Sequence, residues 1–321
     1  MTSDESLNSE HILVFESINE FFGSMAEVFG RAKQLRSRLR DEIIELVTIG
    51  KYREPSNSTK LVAIDTAFPI HPLEFVGLVV SVIGYAGILV DNDVVVEKYT
   101  GYKIVAGFGK LDQEIVATYA REIERHIAKK VISSGFSGII VFDGEVVPIA
   151  CRRSQIAETW ANVCKLTKQL LFNKNIFVGI VKRSFSFTLS KKLGLRMPDK
   201  AIMSLVLRRG EYAIVEEFAS SRCYVVYYKP LRGLQQAVKV EICGDVDLNR
   251  ISEIIGLLAS SAAHTGLPWY IDFVDGLAKR ETQLLDLISS RLLKTAIVAE
   301  TEQLVEPTNP QKRSPASVSL L

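Results

Sequence analysis

Apolar residues recur at two spacings along the chain, and these spacings divide it into helical and extended stretches. Helical spacing predicts an N-terminal arm over residues 11–49 and a long helix over residues 111–133. Unbroken apolar runs predict buried strands within residues 61–65, 139–147 and 175–184. Because these three strands alternate with helices, we expect them to pair in parallel, with the helices covering the sheet.

The region between the first of these strands and the long helix is predicted to be a meander. Residues 75–90 form the longest uncharged apolar run, but it is shorter than the ~20 residues that a bilayer requires. We therefore interpret it as a buried strand or strand pair that does not cross a membrane. Turn residues at 91–93 and 99–101 predict separate strands over 94–99 and 102–108.

The second half of the chain is predicted to contain further helices and strands. One helix is predicted over residues 154–174, with Ser154 as its candidate N-cap. Another is predicted over residues 247–266, with Asp247 as its candidate cap. Between them, residues 205–244 are rich in extended segments, beginning with the sequence LVLRRGEYAIV. The Pro, Ser and Thr content of residues 301–321 predicts a disordered tail.

Composition places the chain among globular proteins and restricts its partners only weakly. Of its 321 residues, 47% are hydrophobic and 24% are charged, which is enough material for a sizeable core. The net charge of +2 indicates no chain-wide attraction to nucleic acid, so any basic groove must be local.

The cysteines and the start of the sequence bear on the location of the protein. The four cysteines are far apart and lack the spacing of a zinc site. The acidic start does not resemble a signal peptide. We therefore expect a reducing, cytoplasmic location.

Two of the predicted strands end in an aspartate, which raises the question of a metal site. Asp65 ends the run VAID and Asp143 ends the run VFD, and a single aspartate at such a place is usually a turn residue. In an open α/β sheet, however, functional groups collect beyond the carboxyl ends of the strands. Two carboxylates there would suit Mg²⁺ or Mn²⁺, which prefer oxygen ligands. The pattern leaves both interpretations open.

Other charged side chains fall near the same predicted strand ends. Glu122 and Glu124 flank the apolar stripe of the long helix, and Glu124 lies nearer the edge of that stripe, so we prefer it as a third oxygen donor. Lys182 and Arg183 end the third parallel strand, where they either position a phosphate or only solubilise the strand end. The sequence contains no glycine-rich phosphate loop and no G-x-S-x-G elbow, which disfavours ATPases, nicotinamide enzymes and serine hydrolases.

Taken together, these motifs resemble those of the NurA family, the nucleases that partner the HerA hexameric translocase in archaeal DNA end processing. The family opens its core with an apolar strand ending in Asp, and Asp65 stands at that position. Its long helix carries a metal-binding Glu before an apolar strand ending in Asp-Gly, which matches Glu124, or Glu122, and Asp143. A later strand with a Lys and Ser pattern resembles GIVKRSFS, which contains Lys182.

The most specific part of the resemblance lies near the C-terminus. The family has a GYP-type stretch followed by an Asp or His ligand, and here GLPWYIDFVD aligns Pro268 and places Asp275 at the ligand position. Two departures are evident. The family tyrosine is replaced by Leu267, and the usual Gly-Ser after the first aspartate is replaced by Thr66 and Ala67. Every implied metal ligand nevertheless remains an oxygen donor.

The resemblance implies an α/β fold of the RNase H-like type, in which a mixed sheet is flanked by helices. An N-terminal helical arm (residues 1–55) and additional β-rich segments would surround this core. The nuclease domain would span residues 56–300, and the tail residues 301–321. By the same resemblance, Mn²⁺ or Mg²⁺ would be held by four carboxylates: Asp65, Glu124, Asp143 and Asp275. Lys182 would hold the scissile or an adjacent phosphate, and Arg183 would contact DNA.

The function implied is metal-dependent cleavage of DNA during end resection and double-strand break repair. The protein would be a homodimer that docks onto a HerA-type hexameric translocase and has no membrane partner. Two alternatives from other classes stay open. One is a catalytically weakened NurA-like assembly or DNA-binding protein, and the other is a metal-dependent phosphatase that acts on a small molecule.

Overall fold

The chain divides into two compact units, Met1–Leu46 and Val47–Leu321. A computed structural model describes residues 17–53, 60–75, 77–108, 111–218, 222–233 and 236–298. In the first unit, helix α1 (Ile18–Ile44) begins at Ser17, whose hydroxyl accepts a hydrogen bond from the backbone N–H of Glu20 at 3.1 Å. The predicted start of the arm and the predicted tail over 301–321 lie outside the described residues.

The second unit, as far as the structure describes it, is built on a ten-stranded mixed sheet. In chain order its strands are β1 (Thr48–Lys51), β2 (Leu61–Ala67), β3 (Leu73–Phe75), β4 (Leu78–Asp91), β5 (Val94–Gly107), β6 (Ile139–Asp143), β7 (Ile176–Val181), β8 (Glu211–Phe218), β9 (Cys223–Tyr228) and β10 (Val238–Cys243). The order across the sheet is β1-β8-β9-β10-β7-β6-β2-β4-β3, and β5 also pairs with β4. Strands β2, β6 and β7 are parallel, as their alternation with helices predicted. The mixed α/β fold expected from the sequence is confirmed.

Helices cover both faces of this sheet. They are α2 (Gln113–Ser133), α3 (Ala161–Leu171), α4 (Thr188–Lys192), α5 (Asp199–Val206), α6 (Leu248–Ser260), α7 (Trp269–Thr282) and α8 (Leu284–Val298). Side chains alternate along β2, so Leu61 and Ala63 pack with α6 and α7 on one face. Val62 and Ile64 pack with α2 and α3 on the other face.

The predicted cap of α6 is confirmed, because Asp247 accepts a hydrogen bond from the N–H of Arg250 at 2.7 Å.

The predicted break at residues 99–101 is wrong, because β5 runs through it without interruption. Gly101 pairs with Tyr85 of β4 in regular antiparallel register. A Cβ atom at Gly101 would lie 2.4 Å from the hydroxyl oxygen of Tyr85, so the glycine leaves room for the tyrosine ring. The glycine that resembled a turn signal is therefore a packing site within a long hairpin. The predicted turn at 91–93 is confirmed, with Asn92 and Asp93 at φ 52° and 58°.

Two helix boundaries also differ from the sequence expectation. Helix α3 begins at Ala161, and Ser154 does not cap it. The preceding segment forms short 3₁₀ turns at Ile149–Arg152 and Glu158–Trp160, between which the backbone is extended at Arg153 and Ala157. The sequence LVLRRG does not begin a strand, because its first two residues end α5 and β8 starts only at Glu211.

All four cysteines form disulfides, although their distance along the chain suggested no pairing. Cys151 and Cys164 are joined with a Cα–Cα distance of 5.3 Å, and Cys223 and Cys243 with one of 4.1 Å. The second pair lies directly opposite on β9 and β10, which brings residues that are 20 positions apart into register. No cysteine is free, so the inference of a reducing location from cysteine spacing loses its basis. Among the described residues, no helix is long and apolar enough to cross a membrane.

Candidate metal centre

Three carboxylates meet where the parallel strands end. Asp65 follows Leu61 and Ala63 at even spacing along β2, so it points to the α7 face of the sheet. Asp143 has the same parity on β6, and the two strands are adjacent and parallel. Helix α7 crosses this face and contributes Asp275. One ligand oxygen from each of the three residues lies within 4.8 Å of the others. The structure therefore brings together the two strand-end aspartates and the aspartate implied by the C-terminal motif.

Asp65 is the most buried member of this acidic group. Asp65 is only 4% exposed, and its Oδ1 accepts a hydrogen bond from the N–H of Thr66 at 2.7 Å. Its Oδ2 is buried and has no hydrogen-bond partner among the described residues. Burial raises the pKa of Asp65 well above its usual value, and the charges of Asp143, Glu124 and Asp275 raise it further. A cation placed between the carboxylates would remove this repulsion.

Lys182 supplies a positive charge at the edge of the group. It lies two residues beyond Ile180, which is on the α7 face, and its Nζ is 2.7 Å from Oδ2 of Asp143. Burial raises the pKa of Asp143, and the Lys182 ammonium offsets this in part. Burial lowers the pKa of Lys182, but the charge of Asp143 and the hydrogen bond to it outweigh burial, so the pKa is raised. Lys182 therefore stays charged at neutral pH.

Glu124 approaches from the opposite face of the sheet and is held by cations. It is 1% exposed, and its carboxylate accepts hydrogen bonds from Thr66 Oγ1 at 2.6 Å, Arg121 Nη1 at 3.0 Å and Arg125 Nη1 at 2.5 Å. The alternative residue, Glu122, is more exposed and lies 3.5 Å from His126 instead. Glu124 thus lines the same cleft as the three aspartates but is outside their close group.

The two arginines also fix the segment that follows Asp143. Arg121 donates to the carbonyl of Asp143 at 2.9 Å, and Arg125 donates to the carbonyls of Glu145 and Val146 at 2.8 and 2.9 Å. Arg125 is fully buried, which lowers its pKa to about 10, so it remains charged at neutral pH. Neither arginine was predicted as a site residue from the sequence. Their spacing on one helix around a buried glutamate was the available signal.

Gly144 allows this close packing. Its φ is 124°, and a Cβ atom there would lie 2.6 Å from Nη2 of Arg121. The Asp-Gly pair in the motif is therefore required both by the backbone conformation and by the guanidinium group above it. Gly144 thus lets Arg121 pack against the turn that carries the Asp143 carboxylate.

The cleft around these groups has a volume of about 500 Å³. Arg183 and Lys279 also line it, and Lys279 is 2.7 Å from Asp275. Among the residues that the structure describes, the close group consists of carboxylate oxygens, one of which is buried without a hydrogen-bond partner there. Such hard donors fit Mn²⁺ or Mg²⁺, and they do not suit metals that prefer sulfur or nitrogen ligands.

Comparisons with known proteins agree with this geometry. The sequence matches the NurA domain over residues 31–280. The structure is similar to that of the NurA nuclease from Sulfolobus solfataricus, with a TM-score of 0.59 and 18% identity over 87% of this chain and 98% of that chain. A NurA structure with manganese has a TM-score of 0.55 and 10% identity, covering 85% of this chain and 97% of that one.

A further NurA structure, bound to dAMP and manganese, has a TM-score of 0.51 and 10% identity over 81% of this chain and 93% of that chain. At these identities the structural likenesses show a shared fold. No curated protein is similar enough in sequence to count as a match. The NurA domain match itself extends over most of the 321 residues. This protein therefore belongs to the NurA family.

Proposed function

We propose that the protein is a metal-dependent deoxyribonuclease that hydrolyses phosphodiester bonds. The observation that carries the proposal is the convergence of Asp65, Asp143 and Asp275, whose ligand oxygens lie within 4.8 Å of one another. Membership of the NurA family supports the same reaction class. A manganese ion is present in two similar NurA structures, one of which also contains dAMP.

In this proposal the three aspartates hold Mn²⁺ or Mg²⁺. The ion would supply Lewis-acid activation of a water and would stabilise the leaving oxygen. Lys182 then has two roles: it neutralises Asp143 in the free protein, and it binds a non-bridging phosphate oxygen when the substrate arrives. Arg183 lines the same cleft and contacts a neighbouring phosphate.

Glu124 is proposed as the fourth carboxylate ligand. Its carboxylate already accepts hydrogen bonds from Thr66, Arg121 and Arg125, so binding a metal requires that it exchange one of these bonds. A Glu124→Gln variant tests this role. If Glu124 is a ligand, the variant should need a higher Mn²⁺ concentration for half-maximal cleavage. A lower rate with an unchanged Mn²⁺ requirement would assign Glu124 to bracing the site instead.

The activity test uses end-labelled single- and double-stranded DNA with Mn²⁺, Mg²⁺ or EDTA. We expect cleavage that needs the metal and is abolished by Asp143→Asn. An exposed aspartate on α1, Asp41, provides the matched control as Asp41→Asn. DNA binding without cleavage under any metal condition would favour a weakened assembly protein. Hydrolysis of p-nitrophenyl phosphate without hydrolysis of DNA would favour a phosphatase.

A homodimer that docks onto a HerA-type hexameric translocase in double-strand break repair is proposed from family membership. The surface of β5 supports self-association, because this long strand pairs only with β4 in the described part of the chain. It exposes apolar side chains at Val94, Val96, Tyr102 and Ile104. Light scattering should report twice the chain mass, and Ile104→Lys should shift it to the monomer. A parent protein that is monomeric at micromolar concentration would refute the dimer.

A cytoplasmic location follows if the substrate is chromosomal DNA. The two disulfides do not oppose it by themselves, because intracellular proteins of hyperthermophiles are often rich in disulfides. Fractionation of the source cells, followed by immunodetection of the protein, tests this location.

A further inference from the structure

A second cleft lies beside α3, and it is strongly basic. Its volume is about 870 Å³, within the range of ligand sites. The cleft is lined by Asn173 and Lys174, which precede β7, whereas Lys182 follows β7 at the acidic group. Since β7 has six residues, Lys174 lies roughly 20 Å from Lys182 along the strand. The other wall of the basic cleft, at Val147, is two residues beyond Glu145 of the acidic cleft.

The charges in this basic cleft are unbalanced. Four cations line it, and the lining includes one acid, Asp245: the cations are Lys165, Lys168, Lys174 and Arg222. None of the four forms an ion pair with any residue that the structure describes. The whole chain carries a net charge of only +2, so this cleft concentrates positive charge locally. An anionic ligand would meet little opposing charge there.

An aromatic ring accompanies these cations. Phe172, at the C-cap of α3, lines the cleft and is 81% exposed. Burial therefore does not explain the presence of a large apolar side chain at this position. A flat exposed ring beside several cations is the arrangement by which proteins bind single-stranded nucleic acid, with bases stacked on the ring and phosphates on the cations.

Two disulfides cross-link the walls of the basic cleft. The disulfide between Cys151 and Cys164 contributes both cysteines to the lining and ties a 3₁₀ turn to α3. The second disulfide, between Cys223 and Cys243, lies directly beside Arg222. Arg222 has a φ of 48°, a conformation that usually favours glycine, so its side chain is retained at some conformational cost. A pre-formed site loses less entropy when a ligand binds.

We propose that this basic cleft is a second binding site for single-stranded DNA, separate from the carboxylate centre. The inference rests on the proposed function, because it takes DNA as the substrate. The cleft would hold a strand at a distance from the scissile bond, so that long substrates are retained and short ones are not. An acidic peptide would match the positive charge of the cleft, but it has no bases to stack on the exposed ring of Phe172.

The test measures binding of fluorescent dT30 to the full chain in EDTA, where no cleavage occurs. Removing two cations with Lys165→Ala and Lys168→Ala should weaken binding and reduce the slope of log K against log salt by about 1.4, since each phosphate contact contributes ~0.7. Phe172→Ala should weaken binding about tenfold without changing this slope. On an abasic oligonucleotide, Phe172→Ala should have no effect. The matched control is Lys98→Ala with Lys129→Ala, two exposed lysines outside the cleft.

A parallel assay separates this inference from the proposed function. Hydrolysis of bis(p-nitrophenyl) phosphate with Mn²⁺ reports the carboxylate centre alone, because this small diester has no DNA strand that extends beyond the reacting phosphate. The cleft variants should hydrolyse it at the parental rate. If the parent does not hydrolyse it, the nuclease proposal fails, while the EDTA binding data still decide the inference. The inference is overturned if the double lysine variant binds dT30 like the parent, if the control weakens binding equally, or if polyglutamate competes as well as dT30.

Discussion

The clearest test of the metal centre is to neutralise the most buried of its three aspartates with Asp65→Asn. The asparagine keeps the shape, and its Oδ1 can still accept the hydrogen bond from the Thr66 N–H. Its NH₂ group replaces an oxygen that has no described partner and would face the carboxylates of Asp143 and Asp275. Without metal, we therefore expect the substitution to stabilise the protein, although it alters a buried polar residue.

The size of this effect can be worked from the geometry. Two unit charges 4.8 Å apart repel by about 3.5 kcal/mol at an effective dielectric constant of about 20. Asp65 faces two such carboxylates, but part of the repulsion is avoided because its raised pKa allows it to be protonated. We expect a net gain of about 2 kcal/mol in the free energy of unfolding at neutral pH, or about 5 °C in Tm.

The pH dependence has a definite sign. Because the folded-state pKa of Asp65 is raised, the folded state holds its proton more tightly than the unfolded state does. In EDTA the parent should therefore lose stability as the pH rises above 3.8, the ordinary value for this group. The Asp65→Asn variant should lack the part of this loss that comes from Asp65 and keep the part that comes from the raised pKa of Asp143. The two proteins should thus be alike at low pH and diverge towards neutral pH in urea unfolding experiments.

Adding metal should reverse the order of stability, so that the parent becomes more stable than the Asp65→Asn variant. A ligand present at a hundred times its Kd stabilises the folded state by about 2.7 kcal/mol, and an amide is a weaker donor to a hard cation. The parent Tm should rise with Mn²⁺, and the variant Tm should rise much less. Asp41→Asn, the exposed control, should behave like the parent throughout. A metal site at Asp65 is excluded if Asp65→Asn destabilises the protein in EDTA, or if both proteins gain equally from Mn²⁺.

Substitutions around the metal centre test its individual contacts. Lys182→Ala removes the cation that is 2.7 Å from Asp143, and single-turnover cleavage should slow about a hundredfold; an unchanged rate would exclude Lys182 from the reaction. Arg125→Met leaves the buried carboxylate of Glu124 without one of its partners and should lower the free energy of unfolding by about 3–5 kcal/mol, measured with urea; a change below about 1 kcal/mol would contradict the buried ion pair. Gly144→Ala introduces a side chain at a φ of 124° and should cost about 1–3 kcal/mol and reduce cleavage together; full activity would show that the turn tolerates the change.

The position of the acidic group could largely be predicted from the sequence. Asp65 and Asp143 each end an apolar run of strand length, and parallel pairing of adjacent strands places both at one edge. Alternation along a strand also determines the face, because Asp65 has the parity of Leu61 and Ala63. Asp275 could not be placed in this way. It was identified only through a motif, since nothing local to α7 indicates which strands the helix crosses.

The hydrogen-bond partners of Glu124 could not be predicted from the sequence. Its place near the edge of an apolar stripe was visible, but the stripe does not reveal that Arg121 and Arg125 bind its carboxylate. Those bonds depend on how α2 lies against the segment after Asp143, to which both arginines also donate.

The sequence alone determined the features that arise from the local geometry of the chain. Periods of 3.6 and 2 residues specify helices, strands and the faces of their side chains, because neighbouring residues impose them directly. Contacts between distant residues arise only in the folded protein: the disulfide between Cys223 and Cys243, the ring of Tyr85 above Gly101, and Arg222 in the cleft that Phe172 also lines. Such pairings depend on the register and packing of whole elements, and residues far apart in the chain carry no local signal of their eventual partners.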